Sequence, residues 1–274
     1  VTEPAEVAPG IRVFPVRTPT LPPATHTNVW VVGQHSLTVI DPASPWTEGQ
    51  DALFEHLQSL DRPVDRLVLT HHHADHIGGI EDLSRRLGGV EICAHPLTAE
   101  RIGVPVDTLW EGGIQVECGG NTLSVHHTPG HAPGHLVFLD QASKMLVAGD
   151  MVAGVGTIVI QPGDGHLGSY LHSLERLRAL GPTALLPAHG PVLHEADSVL
   201  AFYIAHRNMR TEQIRSALDT LGKATALELA PHVYAELDPR FHPMAAVQIT
   251  SHLIFLEEGG FASMSGDRWG LGGD

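Results

Sequence analysis

The sequence predicts a mixed α/β protein of the α+β kind, with two stacked β-sheets, helices on their outer faces and a small helical domain after them. Two observations carry that reading. From Gly10 to about Pro191, short β-branched or apolar runs bounded by Gly, Pro, Asp or Ser alternate with a few amphipathic helical patterns. Beyond "LPAHGPVLHEA" the texture changes to long helical patterns and one terminal hairpin.

In chain order, the strand candidates are "RVFPVR", "NVWVVG", "SLTVID", "DRLVLT", "VEICAH", "TLSVHH", "HLVFLD" and "KMLVAGD". The proline-rich "TPTLPPATHT" interrupts them as a loop, since strands resume on both sides. Helices are expected over Gly49–Leu60, Ile77–Leu87 and Leu167–Leu180. In the last, Leu167, Leu171, Leu174, Leu177 and Leu180 form one stripe. Then follow one long helix from Asp197 to about Leu221, a shorter one over Ala224–Ala230, and a third over Met244–Glu258, stopped by Gly259-Gly260. "FASMSGDRWG" reads as a hairpin around Ser265-Gly266-Asp267, and helices closed by a hairpin suggest a winged-helix-like domain. The division expected is 1–196 for the sheet domain and 197–274 for the appendage.

Composition narrows the function. Of 274 residues, 42% are hydrophobic and 17% charged, which fits an ordinary globular chain. No apolar run approaches the roughly 18 residues of a membrane span. "VTEPAEVAPG" lacks the basic start and apolar core of a secretory signal, so a cytoplasmic location is expected. A net charge of −15 repels phosphate backbones and argues against broad affinity for nucleic acid. Cys93 and Cys118 form neither a CxxC pair nor a disulfide framework and read as core residues. Twenty histidines, by contrast, exceed what packing needs.

Four of them fall in "THHHADHIGG" (70–79), directly after the strand "RLVLT". Residues two apart in an extended segment project to one side, so His71 and His73 can bind one ion while His72 turns away toward the rim. Asp75 and His76 lie at the turn into the next helix, placed to serve a neighbouring ion. His131 after "HHTPG", Asp150 closing "MLVAGD" and His189 in "LLPAHG" sit at further strand-to-loop junctions beside glycine. Each taken alone is a commonplace residue; the dense HxHxDH cluster is not. Five histidines and two carboxylates without a thiolate suit zinc, with manganese or iron as substitutes.

With "THHHADH", "TPGH", "AGD" and "PAHG" in this order, the chain resembles the metallo-β-lactamase superfamily, and Asp41 in "LTVIDPAS" matches that family's early strand-end aspartate. The resemblance covers roughly the first 190 residues. It implies a four-layer αββα sandwich with two metals at one sheet edge. His71, His73 and His131 would hold the first, Asp75, His76 and His189 the second, and Asp150 would bridge them. Asp150 stands where β-lactamases of this fold carry cysteine or serine, so drug hydrolysis is a poor first expectation. "GTIVIQPGDGHLGSYLHSLERL", "YIAHRNMRTEQI" and "HPMAAVQITSHLIFLEEGGFA" resemble the beta-lactamase-like protein 2 group, which adds a winged-helix-like C-terminal domain. Animal members of that group are described as single-strand endoribonucleases, and related members cleave acyl thioesters.

Two zinc ions can share a water and lower its pKa toward about 7, giving a bridging hydroxide for hydrolysis. Asp75 would orient it and accept a proton. His135, four residues past His131, is either a proton donor at the margin or a strand-start residue bonded to a loop. One of His126 and His127 is expected to support a ligand from behind; His166, His172 and His194 read as surface residues. The first expectation is therefore a dinuclear zinc hydrolase acting on a thioester or ester of a small acyl substrate. The alternative is a single-strand endoribonuclease, for which Arg207 and Arg210 on the long helix would contact phosphate. Against it, residues 201–274 carry six basic and nine acidic residues. A mononuclear iron persulfide dioxygenase is disfavoured by the complete second ligand set, and a β-lactam or lactone hydrolase stands as a further, lesser alternative. No membrane or DNA partner is expected; a homodimer is possible.

Overall fold

The computed structural model describes residues 3–272. Strands β1 (Ala5–Ala8), β2 (Ile11–Arg17), β3 (His26–Val32), β4 (Leu37–Ile40), β5 (Val64–Val68), β6 (Glu91–Ala94) and β7 (Thr108–Leu109) form a seven-stranded sheet in that spatial order. β1–β4 pair antiparallel, and β4–β7 are joined in parallel. Helix α1 (Thr47–Ser59) connects β4 to β5, α2 (Ala74–Ile77) and α3 (Ile80–Arg86) connect β5 to β6, and α4 (Pro96–Ala99) follows β6.

The expected helix over Ile77–Leu87 is thus two helices. The break falls at Gly78-Gly79, where the loop after β4 presses against the chain: a Cβ on Gly79 would stand 2.5 Å from the Pro42 carbonyl oxygen. Gly79 N–H also donates to that carbonyl at 2.6 Å. Close approach, not helix periodicity, sets the local geometry there.

The second sheet contains β8 (Ile114–Cys118), β9 (Asn121–His127), β10 (Leu136–Asp140), β11 (Met145–Gly149), β12 (Ala184–Pro187) and β13 (Leu193–His194), in sequential spatial order. Helix α5 (Leu167–Ala179) makes the crossover between the parallel strands β11 and β12. The layering follows from strand alternation. In β3, Trp30 and Val32 face a core shared with Leu123, Val125, Phe138 and Val147 of the second sheet. Val29 and Val31 face the opposite way, onto Leu53, Leu57, Ile80 and Leu83 of α1 and α3. On the far side, Val137, Leu139, Leu146 and Leu185 meet Leu167, Leu171, Leu174 and Leu177, the leucine stripe of α5. Each fully buried leucine there contributes roughly 1.5–3 kcal/mol. The result is the four-layer αββα sandwich. Cys93 and Cys118 are free thiols in the inter-sheet core, and burial pushes Cys93 up to about 12.

Helix α6 (Ala196–Leu221) joins two cores: Ala196 and Leu200 pack on the α5 layer, whereas Ile214, Ala217 and Leu218 enter a separate cluster. That cluster is completed by α7 (Ala226–Val233), α8 (His242–Glu258) and a small sheet of β14 (Lys223–Ala224), β15 (Ala262–Ser265) and β16 (Arg268–Leu271). The hairpin turns at Gly266-Asp267, as its sequence predicts. α7 lies a few residues later than expected because Thr225 forms a capping box with Glu228 and fixes its start. Among the described residues, no helix is long and apolar enough to cross a membrane.

Candidate metal centre

The seven residues singled out as ligands come together where strand ends of both sheets meet. β5 delivers His71, His73, Asp75 and His76. The β9–β10 loop delivers His131, β11 ends in Asp150, and β12 runs into His189. Their ligand atoms gather as His71, His73 and His131 on one side and Asp75, His76 and His189 on the other, with a further grouping of His71, His76 and Asp150 between them and one of His72, His73 and Asp164 beside them. Asp150 stands between the first two. Its Oδ2 lies 3.4 Å from His131 Nε2, and its Oδ1 lies 3.6 Å from His76 Nε2 and 3.5 Å from His189 Nε2. One carboxylate oxygen therefore serves each of the two.

What aims these rings is a set of acceptors behind them. His131 Nδ1 pairs with the Val159 carbonyl at 2.8 Å, and His189 Nδ1 with the His26 carbonyl at 3.0 Å. His76 Nδ1 lies 2.8 Å from Asp41 Oδ2, and His73 Nε2 lies 2.8 Å from Asp164 Oδ2. Thr70 Oγ1 donates to Asp41 at 2.7 Å, so at 2.9 Å it accepts from His71 Nδ1. A carbonyl or carboxylate can only accept, so each imidazole carries its proton on the outward nitrogen. In their neutral forms all five present a lone pair inward: Nδ1 for His73 and Nε2 for the other four.

The inward atoms fit a cation. His73 Nδ1 stands 2.9 Å from His71 Nε2 and 3.0 Å from His131 Nε2. Three lone pairs at that separation repel unless a positive charge lies among them. Nitrogens bound tetrahedrally to zinc at about 2.0–2.1 Å stand about 3.3 Å apart, close to what is seen. His76 Nε2 and Asp150 Oδ1 are buried without a hydrogen-bond partner, the costly condition that a metal ligand resolves.

Protonation differs between the groupings. Burial, reinforced by the neighbouring imidazoles, holds His71 well below its ordinary value; burial lowers His131 to about 4 despite Asp150. Burial also opposes charge on His76 and His189, yet their acceptors together outweigh it and raise both: Asp150, Asp41 and Asp75 for His76, and Asp150 with the His26 carbonyl for His189. Asp150 is itself buried, but His189 and His76 hold it well below the carboxylate range. His71 and His131 are thus held neutral for a cation, whereas His76 and His189 give up a proton to take one.

Asp41, expected from its motif position, is buried and supports the site from behind, accepting also from the Thr70 N–H at 2.7 Å. Its φ of 55° is a left-handed conformation that aspartate tolerates. His135 is the strand-start residue of the two alternatives. Fully buried, its Nδ1 faces Thr128 Oγ1 at 3.0 Å and its Nε2 accepts from the Asp150 N–H at 3.1 Å, so it holds the Asp150 backbone and has no proton to give substrate.

Three expectations are corrected. His72 is not an open rim residue; it is half-buried with Nε2 3.3 Å from Asp164. Neither His126 nor His127 backs a ligand: His127 bonds the Pro133 carbonyl and stacks on His95, and His126 Nε2 is buried without a partner. Arg207 is no free phosphate contact, being 5% exposed and donating to the Ile158 carbonyl at 2.5 Å. His166, though exposed, caps α5 and reaches Glu258 at 2.9 Å.

The sequence reading missed Asp164, Thr70 and the residues that hold the 153–160 loop. Tyr203 Oη donates to the Ala153 carbonyl at 3.0 Å, Gln248 Nε2 to the Ile160 carbonyl at 3.3 Å, and Ser251 to the same carbonyl. These α6 and α8 side chains brace the loop whose Val159 carbonyl orients His131. The loop also walls a cavity of about 390 Å³ that opens onto His73, Asp75, His131, Asp150 and His189, with the 19–24 loop and Met244 opposite.

Comparison with known proteins agrees with this geometry. The profile of the metallo-beta-lactamase superfamily matches residues 22–189, and that of the beta-lactamase associated winged helix domain matches 225–269. The chain is 30% identical over 214 residues to the beta-lactamase-like protein 2 homolog of Caenorhabditis elegans, covering 77% of this chain and 71% of that one. It is 32% identical over 200 residues to the atrochrysone carboxyl ACP thioesterase AacuM of Aspergillus aculeatus, covering 72% of this chain but only 61% of the thioesterase. The crystal structure of a metallo-beta-lactamase family protein from Thermus thermophilus superposes with a TM-score of 0.81 at 25% identity, covering 97% of this chain and 100% of that one.

Proposed function

Because the chain belongs to the metallo-beta-lactamase superfamily of metal-dependent hydrolases, we propose that it is a dinuclear zinc enzyme hydrolysing a thioester or ester of a small acyl substrate. The observation that carries this reading is the set of five imidazoles, each pinned through one nitrogen to a protein acceptor and each turning the other nitrogen inward, toward the neighbouring candidate ligands. A purely structural site would close its ligand sphere, whereas this one opens onto a cavity. Bound there, two dications would polarise a substrate carbonyl and make water nucleophilic near neutral pH.

The chain's own residues divide the remaining work. Asp150, with one oxygen per grouping, fixes their separation. Asp75 lies at the cavity wall, its Oδ2 3.5 Å from His189 Nε2, and is placed to orient water and take up its proton. Val155, Val159 and the prolines of the 19–24 loop give the cavity an apolar wall suited to an acyl group. A relative named as an ACP thioesterase supports the thioester class, and the net charge of −15 favours a small substrate over a nucleic acid.

The test is turnover by metal-loaded protein of acyl thioesters and aryl esters in one arm and labelled single-stranded RNA in the other, with Asp75→Asn in both. Acyl turnover that falls at least about a hundredfold in the variant is expected, on the usual scale of a lost proton-transfer group. RNA cleavage lost in the variant, with no acyl turnover, would replace this reading by the nuclease.

A further inference from the structure

A second cavity, of about 650 Å³, lies between α6 and the 234–248 segment. It adjoins the metal cavity and shares Pro22, Gly156, Thr157, Val159 and Met244 with it. Its walls carry Phe202, Tyr234, Leu237, Phe241 and Met244, of which Phe202 is 64% exposed, Met244 51% and Phe241 47%. Apolar surface of that kind, left open in a groove, marks a place where something apolar binds.

The charged residues of this groove are all of one sign. Arg207 and Arg210 line it with His206, and no carboxylate does. Among the described residues neither arginine forms an ion pair, although the chain carries a net charge of −15. Arg207 is committed to the Ile158 carbonyl and Gln248. Arg210 lies over the Tyr234 ring at 4.0 Å, donates to the Val233 carbonyl and Gln213, and keeps a buried Nε without a partner. An uncompensated guanidinium on an aromatic wall is matched by an anionic group on an apolar body.

We propose that this groove is the distal half of the substrate site. It receives an extended or aromatic acyl body bearing an anionic group remote from the scissile bond, and Arg210 determines specificity. The proposal rests on the acyl-hydrolase reading and narrows it to long, amphipathic acyl substrates. It gives α6 and the winged-helix domain a part in substrate selection.

The experiment compares metal-loaded protein on p-nitrophenyl acetate, p-nitrophenyl decanoate and the mono-p-nitrophenyl ester of sebacic acid. In parallel, it measures binding of the apolar anion anilinonaphthalene sulfonate by fluorescence. kcat/KM is expected to rise at least about a hundredfold from acetate to decanoate, the gain from burying about three or four of the added methylenes. The terminal carboxylate is expected to add about tenfold. Arg210→Met should remove the carboxylate advantage and weaken the dye. Leu237→Trp, which fills the groove, should lower the decanoate-to-acetate ratio and displace the dye. Arg215→Met, which removes a charge from α6 outside the groove, should do neither. Acetate turnover with no gain for the longer esters, or a ratio unmoved by both groove variants, overturns the proposal. Should no ester react at all, the acyl-hydrolase reading fails and the dye decides the groove. Binding weakened by both groove variants then upholds it as a site for apolar anions, and unchanged binding overturns it.

Discussion

Replacing Asp41 by asparagine tests whether the acceptors behind the histidines make the metal centre. Asparagine keeps the size of aspartate and also tolerates the left-handed φ of 55°, so backbone strain does not confound the change. Oδ1, which accepts from the Thr70 N–H, is retained as the amide oxygen. Oδ2 accepts from both Thr70 Oγ1 and His76 Nδ1, at 2.7 and 2.8 Å, and becomes an NH2 group facing two donors. The least costly relief is for His76 to move its proton from Nδ1 to Nε2, and that nitrogen then has no lone pair for an ion.

Loss of such a supporting carboxylate typically costs about 10- to 100-fold in metal affinity, or about 1.4–2.7 kcal/mol. The loss should fall mainly on the ion held by Asp75, His76 and His189. His71 is touched less directly, through Thr70. Metal content measured by mass spectrometry after dialysis against a buffered zinc solution should give two equivalents for the native chain and about one for Asp41→Asn, with turnover lost in parallel. Two equivalents of unchanged affinity in the variant would refute the tautomer argument.

Other expectations follow from single contacts. Gly149→Ala puts a Cβ about 2.6 Å from His135 Nε2 at a φ of 49°. It should cost at least about 2 kcal/mol, read as a lower Tm, and should displace Asp150 and lower metal content. Chelation should abolish turnover and lower Tm, because bound cations stabilise only the folded state. Zinc should restore both; restoration by iron or manganese alone would reassign the metal. His252 is lowered to about 3 by burial, then by Arg207 and Arg210. The unfolded chain takes up its proton first as pH falls below about 6.5, so stability present above that value is lost toward about pH 3. Urea unfolding should show a loss of about 2 kcal/mol at pH 5 from this group, and His252→Gln should flatten the slope.

Legibility in the sequence followed the range of each interaction. The convergence of the candidate ligands was readable because four of them share one short segment and the others sit at strand ends marked by glycine, so local pattern and rigid sheet agree. The layers were readable because β3 and α5 obey their periods of 2 and 3.6. The break at Gly78-Gly79 was not, because it depends on a Pro42 carbonyl that approaches only in the fold. The same holds for the atoms that set each imidazole's proton. His73 finds its acceptor 91 residues away in Asp164, and His189 finds one 163 residues away in a backbone carbonyl. A carbonyl has no side-chain signature, and any residue at position 26 or 159 could supply it. His127 and Arg207 misled for the converse reason: residue type suggested chemistry, and the fold had already assigned those groups to the Pro133 and Ile158 carbonyls. The candidate ligands are therefore written locally in this chain, and the direction of their rings only in three dimensions. Gln248→Ala, which loosens the 153–160 loop, should leave the sequence motif intact and yet lower metal content measured by mass spectrometry, by releasing the Val159 carbonyl that orients His131.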